Sequence, residues 1–258
     1  MQLATWNVNS LKVRLPQVLT WLAENPVDAL CLQETKLEDV NFPQHEIEEA
    51  GYRVAFAGQK TYNGVAILSK HEIHDIQVNL PNLDDPQKRL IAATINDVRV
   101  VCAYFPNGQS LDSDKYQYKL RWLEALQSWI KAQLATYHSL ALLGDYNIAP
   151  EDRDVHDPKA WAGQVLVSPP ERAAFEQLLG MGMKDAFRAF EQPDKAFTWW
   201  DYRMNGFKRN LGLRIDHILL SNSLAERCLQ CVIDVAPRRN ERPSDHTPVI
   251  VTLSDSAR

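Results

Sequence analysis

Leu140-Ala-Leu-Leu-Gly-Asp-Tyr-Asn147 is the stretch on which the reading of this chain turns. An apolar run reaches Gly144, and the chain then presents an acid and an amide two positions apart, Asp145 and Asn147. A continuous apolar run marks a strand buried on both faces. In α/β proteins, chemistry gathers just beyond the carboxyl ends of such strands. Side chains at i and i+2 leave a strand on the same face, so Asp145 and Asn147 are expected in one cleft.

Before this strand, Ser113 or Asp114 is placed to cap a long helix reaching about Ala135, with Leu120, Leu123, Leu126 and Ile130 facing the core. After it, residues 149–170 are polar and broken, as in an exposed functional loop, and a helix over 170–179 follows. Nearer the amino terminus, Leu3–Asn7 reads as a strand, and Ser10 as the cap of a helix running to about Glu24 with Leu11, Leu15, Val18, Leu19 and Leu22 on one face. Other strand-like runs are 27–33, 52–57, 65–69, 90–95, 99–105, 197–200, 213–220, 231–236 and 249–253, and a short helix is expected over 43–50. Strands outnumber helices, and they come both in adjacent groups and alternating with helices. That pattern favours an α/β sandwich with mixed sheets over a purely parallel, doubly wound fold. No repeat or long linker divides the chain, so residues 1–258 read as a single domain.

The 258 residues are 45% hydrophobic and 24% charged, enough for a large core. The net charge of −5 excludes a generally basic nucleic-acid binder, although a local patch suffices for a polyanion. No apolar run approaches the ~18 residues of a membrane span, and Met1-Gln-Leu-Ala-Thr-Trp6 has no leader pattern, so no membrane partner and a cytoplasmic location are expected. Cys31 and Cys102 sit in apolar runs as buried thiols. Cys228 and Cys231 form a CxxC without the second pair that zinc needs.

Several strand-like runs end in an acid, an amide or a histidine: Asn7, Glu34, Tyr104 with Asn107, Asp145 with Asn147, Asp216-His217, and Ser244-Asp245-His246. Each alone reads as a turn or cap residue. Their recurrence points instead to convergence, and carboxylates with amide oxygens suit Mg²⁺ or Mn²⁺ better than zinc. His217 follows Asp216 directly and should point to the opposite face, into the core. His71 and His74 look like loop residues.

The motifs Trp6-Asn7-Val8-Asn9, Gln33-Glu34-Thr35-Lys36, Tyr104-Phe105-Pro106-Asn107-Gly108, Gly144-Asp145-Tyr146-Asn147, Phe197-Thr198-Trp199-Trp200-Asp201-Tyr202, Arg214-Ile215-Asp216-His217 and Ser244-Asp245-His246 occur in order from residue 2 to about 253. In this the chain resembles the exonuclease III class of apurinic/apyrimidinic (AP) endonucleases, within the endonuclease/exonuclease/phosphatase superfamily. The resemblance implies a four-layer α/β sandwich: two mixed β-sheets packed face to face, helices outside, and the active site at one end. It implies a Mg²⁺-dependent phosphodiesterase (Mn²⁺ as an alternative) that cuts DNA 5′ to abasic sites and trims or unblocks 3′ ends. Its partner would be double-stranded DNA with abasic sites or damaged 3′ ends, and it would act as a monomer.

Phosphodiester hydrolysis needs an activated water, neutralised phosphoryl oxygens and help for the leaving alkoxide. Glu34 is the expected metal ligand, with Asn7 supplying or orienting an oxygen and Asp245 nearby; Asp145 and Asn147 join the same oxygen set. His246 would touch the phosphate, and Asp216 would hold its ring. Asp145, at the end of a buried strand, would position or deprotonate the water, although an acid role toward the leaving group has also been assigned to this position. Asn147, Asn107 and Tyr104 would stabilise the developing oxyanion. The resemblance assigns Trp199, Leu213 and Ile215 to a small pocket for a baseless sugar, which costs little to extrude because no stacking is lost. Arg203, Lys208, Arg209 and Arg214, beside the aromatic run, are the expected cations for flanking phosphates, and Lys36, Lys60, Arg238, Arg239 and Arg242 are further cations for a duplex groove, Lys36 with the added support of following the Glu34 motif. Residues 151–170 depart from the family pattern, and loops there are implied to set the balance between internal incision and 3′-end trimming.

Overall fold

In the computed structural model, which describes residues 1–255, the elements run β1 (Gln2–Asn7), α1 (Leu11–Glu24), β2 (Ala29–Gln33), α2 (Gln44–Glu49), β3 (Arg53–Ala57), β4 (Val65–Ser69), β5 (His74–Val78), β6 (Leu90–Ile95), β7 (Val98–Tyr104), α3 (Asp114–Thr136), β8 (Leu140–Asp145), α4 (Pro158–Trp161), α5 (Pro169–Gly180), β9 (Met183–Asp185), β10 (Trp199–Trp200), β11 (Gly212–Leu213), β12 (Asp216–Ser221), α6 (Asn222–Ala225), β13 (Cys228–Ile233) and β14 (Val249–Leu253). Two six-stranded mixed sheets form, in the orders β13-β14-β1-β2-β4-β3 and β5-β6-β7-β8-β12-β9, with β10 and β11 as a separate small pair.

Alternation along the strands builds four layers. On β1, Leu3 joins the core between the sheets, whereas Ala4 and Trp6 pack outward with Leu11, Val18 and Leu22 of α1. On β8, Ala141 and Leu143 face the inter-sheet core, while Leu140 and Leu142 meet Trp122, Leu126 and Ile130 of α3 and Phe175 of α5. The order is therefore α1 and α2, first sheet, second sheet, α3 and α5. Burial of these faces, at roughly 25 cal/mol per Å² of apolar area, is the main force holding the layers together.

The same period of two locates the polar residues. Counting inward-facing positions from Leu3 gives Thr5 and Asn7; from Cys31, Gln33; from Cys102, Tyr104; from Leu143, Asp145; and from Ile218, Asp216. Register keeps them level. Asn7 is opposite Gln33 across the parallel β1–β2 pair, and Asp145 is opposite both Tyr104 on β7 and Asp216 on β12. One open end of the inter-sheet space is thus closed by acids and amides instead of aliphatic side chains. Gly144 permits this approach: a Cβ there would lie 1.8 Å from the Ala103 carbonyl oxygen on the adjoining strand.

The structure corrects several sequence expectations. Residues 213–220 are not one strand. Gly212–Leu213 pairs with Trp199–Trp200, and β12 begins only at Asp216. Between them Arg214 turns into a buried ion cluster, and the Thr198 hydroxyl accepts hydrogen bonds from the backbone N–H groups of Ile215 and Asp216. His74 lies in the edge strand β5 and not in a loop; exposed and polar, this strand has no apolar alternation to reveal it. Residues 149–170 hold α4 and buried residues, including Asp154, Leu166 and Val167. The CxxC lies within β13, all four cysteines are free, and the expected strand over 231–236 gives way to a short 3₁₀ turn at Ala236–Arg239. Ser113 caps α3 as expected, accepting from the Tyr116 N–H. The Ser10 side chain caps nothing: its φ is 86°, and the start of α1 is held instead by Ser10 and Leu11 N–H groups donating to the Glu34 and Thr35 carbonyls. Among the described residues no helix is long and apolar enough to cross a membrane.

Candidate active site

Asn7, at the end of β1, stands between two carboxylates. Its Nδ2 donates to Glu34 Oε2 at 2.6 Å and to Asp145 Oδ2 at 2.9 Å. Its Oδ1 accepts from the Asn9 N–H at 3.0 Å, so in this arrangement Asn7 orients the two acids. Glu34 follows β2 in the left-handed conformation, at φ 53°, as does Lys36 at φ 55°; backbone bonds from Thr35 and Lys36 to the Gly64 and Asn63 carbonyls hold them there. Non-glycine residues in this region concentrate where a site needs a side chain aimed against local preference.

Asp145 Oδ2 is 3.6 Å from His246 Nε2, and His246 Nδ1 meets Asp216 Oδ2 at 2.8 Å. Ligand atoms of Glu34, Asp145 and His246 lie within 4.8 Å of one another. Burial pushes the Asp145 carboxyl up to about 7, with Asp216 and Glu34 adding to the shift and His246 and the Asn7 bond opposing it. Burial alone would discharge His246, but Asp216 and Asp145 overcome it and raise the imidazole to about 10. Burial also holds the Tyr104 hydroxyl well above its ordinary value, and Glu34 and Asp145 add to this. The centre therefore holds an imidazolium with a fixed Nδ1–H and a carboxyl that titrates near neutrality.

Asn147 also reaches the cleft, but not as the next inward residue of a strand. The strand ends at Asp145, whose Oδ1 accepts the Asn147 N–H at 3.0 Å, and Asn147 takes a φ of 49°. Its Nδ2 donates to the Phe105 carbonyl, and its Oδ1 accepts from Asn107 Nδ2 at 3.3 Å. A cleft of about 910 Å³ opens over these groups, its floor set by Glu34, Tyr104, Asn107, Asp145, Asn147, Asp245 and His246.

One wall of the cleft is apolar: Trp199, Ile215, Leu166 and Leu211 line it, with Trp161 beside them. Trp199 is half-buried in the cleft, and its neighbour Trp200 is buried behind it. Leu213 is wholly buried behind this wall in a cluster with Val155, Val167 and Ile215, and does not line the cleft. Asp245 accepts from Trp199 Nε1 at 3.0 Å and from Asn9 Nδ2 at 3.1 Å, while Lys36 Nζ donates to Asn9 Oδ1 at 2.8 Å. Lys36 is also 3.6 Å from Glu34. Asp245 thus ties the aromatic wall to the acidic floor through Asn9 and Lys36.

Two carboxylates drawn together by one amide, one of them with its charge suppressed by burial, form a donor set that fits a hard divalent cation. The geometry joins Asn7, Glu34, Asp145, Asp216 and His246 on both sheets.

Residues 4–246 match the Endonuclease/Exonuclease/phosphatase family. The chain belongs to that family. Over 96% of this chain and 98% of the relative, it is 36% identical to exodeoxyribonuclease III of Haemophilus influenzae. Among solved structures it is similar to a 3′ phosphatase from Neisseria bound to a product DNA hairpin (TM-score 0.97, 46% identity, 99% of this chain and 100% of the other). It is also similar to an AP endonuclease from Archaeoglobus fulgidus (TM-score 0.96, 40% identity, 99% and 100%). The four-layer arrangement of two mixed sheets is that of these family members.

Within this family chain, other expected contacts are placed differently. Arg203 reaches the cleft rim, where it is exposed and paired with the Asp201 carboxylate through Nε and Nη2. Arg214 is no duplex contact; it is buried between Asp154 and Asp185. Arg238 is also buried, over the rings of Trp200, Tyr202 and Phe207. Lys60, Lys208, Arg209, Arg239 and Arg242 stay at the surface. His217 points away from the cleft, with Nε2 on the Ile148 carbonyl at 2.8 Å and its ring against Tyr146 and Phe175. Sequence reasoning missed Asn9, Arg14 and Lys119. Asn9 stood within a quoted motif; Arg14, which holds the Asn9 carbonyl and the Tyr202 hydroxyl, reads from sequence as a solvated helix cation.

Proposed function

We propose that this chain is a Mg²⁺-dependent DNA-repair phosphodiesterase, with Mn²⁺ able to substitute. It hydrolyses the backbone 5′ to abasic sites, leaving a 3′-hydroxyl, and removes nucleotides or blocking groups from 3′ ends. The observation that carries this reading is the meeting of Glu34, Asp145 and His246 within 4.8 Å at the open end of the sandwich, with Asp216 behind the imidazole. The relatives' activities and the DNA bound by the Neisseria structure support it.

Glu34 would hold the cation, with Asp145, Asn147 and Asp245 as neighbouring oxygen donors and Asn7 orienting Glu34 and Asp145. When bound, it supplies Lewis-acid polarisation of the phosphoryl oxygens. His246 donates its Nε2 proton to a non-bridging phosphate oxygen, while Asp216 keeps Nδ1–H fixed. Asp145 positions the attacking water and takes its proton, a role suited to a carboxyl that titrates near neutrality. Water oxygen bonds to phosphorus, the P–O3′ bond breaks, and the 3′ alkoxide takes a proton from solvent. Tyr104, Asn107 and Asn147 face the negative charge that develops on the phosphoryl oxygens. Trp199, Ile215 and Leu166 form an apolar wall that accepts a sugar without its base, with Leu213 supporting it from behind. Lys36 and Arg203 bind flanking phosphates. The four free cysteines fit the cytoplasm.

An abasic duplex and a 3′-blocked duplex, each incubated with and without chelator, test the reading. Incision giving a 3′-hydroxyl and abolished by chelator is expected. Chelator-insensitive cutting with a β-elimination product contradicts it.

A further inference from the structure

Lys119 on α3 and Glu171 on α5 form an ion pair that is wholly buried behind the cleft. A pair taken this far from water is a weak source of stability, because desolvation offsets the attraction. Its bonds show another use. An ammonium has three donors, and those of Lys119 meet the Asn147 carbonyl at 2.6 Å, the Asn107 carbonyl at 3.2 Å and Glu171 Oε1. Glu171 in turn accepts from the Leu166 N–H at 3.0 Å, the Ser168 N–H at 3.1 Å and the Ser168 hydroxyl at 2.6 Å. The Leu166 carbonyl accepts the Ala149 N–H at 2.9 Å, closing a ring of bonds behind the cleft.

The pair therefore grips three segments that supply the cleft with Asn107, Asn147 and Leu166. Two of those residues sit in the left-handed region, Asn147 at φ 49° and Leu166 at φ 78°. For a leucine this conformation is costly, and it persists only where the surroundings over-determine it. The Asn107 and Asn147 side chains, whose amides meet at 3.3 Å, take their aim from the carbonyls that Lys119 holds. Burial bears down on the Lys119 charge, and Glu171 opposes that loss.

We propose that the buried Lys119–Glu171 pair is a positioning device for the reaction, clamping the backbone of residues 107, 147 and 166 so that two amides face the reacting phosphate and one apolar side chain faces the sugar beside it. The expected rate effect rests on the phosphodiesterase reading above; the clamp itself does not.

The test is the double variant Lys119→Met/Glu171→Gln, which removes both charges, nearly keeps the shape and leaves one amide oxygen as acceptor where the carboxylate offered two. Cleavage kinetics on abasic and 3′-blocked duplexes are normalised to the folded fraction. A kcat lowered about 10- to 100-fold with KM within about threefold is expected, the size of loss that an ångström of misplacement produces. Wild-type kcat, or a loss that only tracks the folded fraction, overturns the proposal. Should the double variant not fold, Glu171→Asp keeps the charges and draws the clamp back by one methylene; about a tenfold fall in kcat at constant KM is expected there, and unchanged kcat overturns the proposal. Side-chain amide resonances of Asn107 and Asn147 in Glu171→Asp provide a readout without substrate. Their displacement supports the clamp even if the wild type cuts no phosphodiester, a result that refutes the function alone; unmoved resonances refute the clamp.

Discussion

Two clusters of buried charge lie on either side of the Asp145–Ile148 turn, and they are settled in opposite ways. Behind the turn, Arg214 lies between Asp154 and Asp185, with Nε–Oδ1 and Nη2–Oδ2 distances of 2.8 Å each, and Arg188 adds a second cation at 2.5 Å from Asp154. Burial works against the charge of both acids there, yet the cations hold them below the ordinary carboxylate range. In front, the cations among the described residues within 4 Å of Glu34, Asp145, Asp216 or Asp245 are Lys36 and His246 alone, with Lys119 and Arg238 acting from farther off, and Asp145 is driven up to about 7. The neutralised cluster reads as scaffold. The other is short of positive charge in the manner of a site that receives a cation, and this contrast separates functional from structural acids better than burial does.

The largest expected effect is on the deficient side. Asp145→Asn should lower kcat about 10³- to 10⁴-fold, the upper range for a lost general base, while duplex binding persists and the thermal midpoint holds or rises. Near-normal turnover in a steady-state assay would remove Asp145 from the proton-transfer role. His246→Ala should cost about 10²- to 10³-fold on the same footing, and a retained rate would take the imidazole away from the phosphate.

Arg214→Met is the converse. Leaving Asp154 and Asp185 buried without their partner should cost about 3–5 kcal/mol of stability, read by urea unfolding. A variant that stays as stable as wild type but loses kcat would show that the rear cluster is not scaffold.

The clusters should also answer pH in opposite directions when chelator keeps cations away. His217, against Arg214, is pushed down to about 4 by burial first and Arg214 second. Between pH 4 and its unfolded value near 6.5, the unfolded chain binds the extra proton. This contribution therefore falls as pH drops through that window, by on the order of 3 kcal/mol. Asp145 is raised, so between 3.8 and 7 the folded chain holds the extra proton and its contribution falls as pH climbs. Unfolding curves of His217→Gln and Asp145→Asn across pH 4–7 should lose slopes of opposite sign; slopes of the same sign would break the comparison.

The smallest effect is at the wall. Trp199→Ala should reduce discrimination between an abasic and an intact nucleotide about tenfold, in line with ~1–3 kcal/mol for an aromatic contact with a nucleotide. Equal selectivity in a competition assay would move the sugar pocket elsewhere.

How much of this was legible in the sequence depends on range. Strands buried on both faces, such as Val65–Ser69 and Leu90–Ile95, declare themselves as apolar runs, and where such a run ends in an acid or amide, as at Asn7 and Asp145, that residue marks the site. The exposed β5 carries no such mark. Arg214 and Arg238 were read as DNA cations because an arginine looks the same in a sequence whether it faces solvent or turns inward; Arg214 turns to Asp154 and Asp185, 60 and 29 residues away in the chain, and Arg238 to the rings of Trp200, Tyr202 and Phe207. Lys119 was hidden as well: two of its acceptors are backbone carbonyls, which no residue name reveals, and the third, Glu171, stands 52 residues away in the chain. The resemblance took Leu213 and Ile215 as equal lining, but Leu213 belongs to the small β10–β11 pair and only Ile215 meets the cleft.

The most direct test is the titration of the Asp145 carboxyl, followed by carbon-13 NMR in chelator and again with excess Mg²⁺. A midpoint near 7 without the cation, falling by at least about one unit when Mg²⁺ binds beside it, is the result this account requires. A midpoint in the ordinary carboxylate range, or one that Mg²⁺ leaves unmoved, would contradict it.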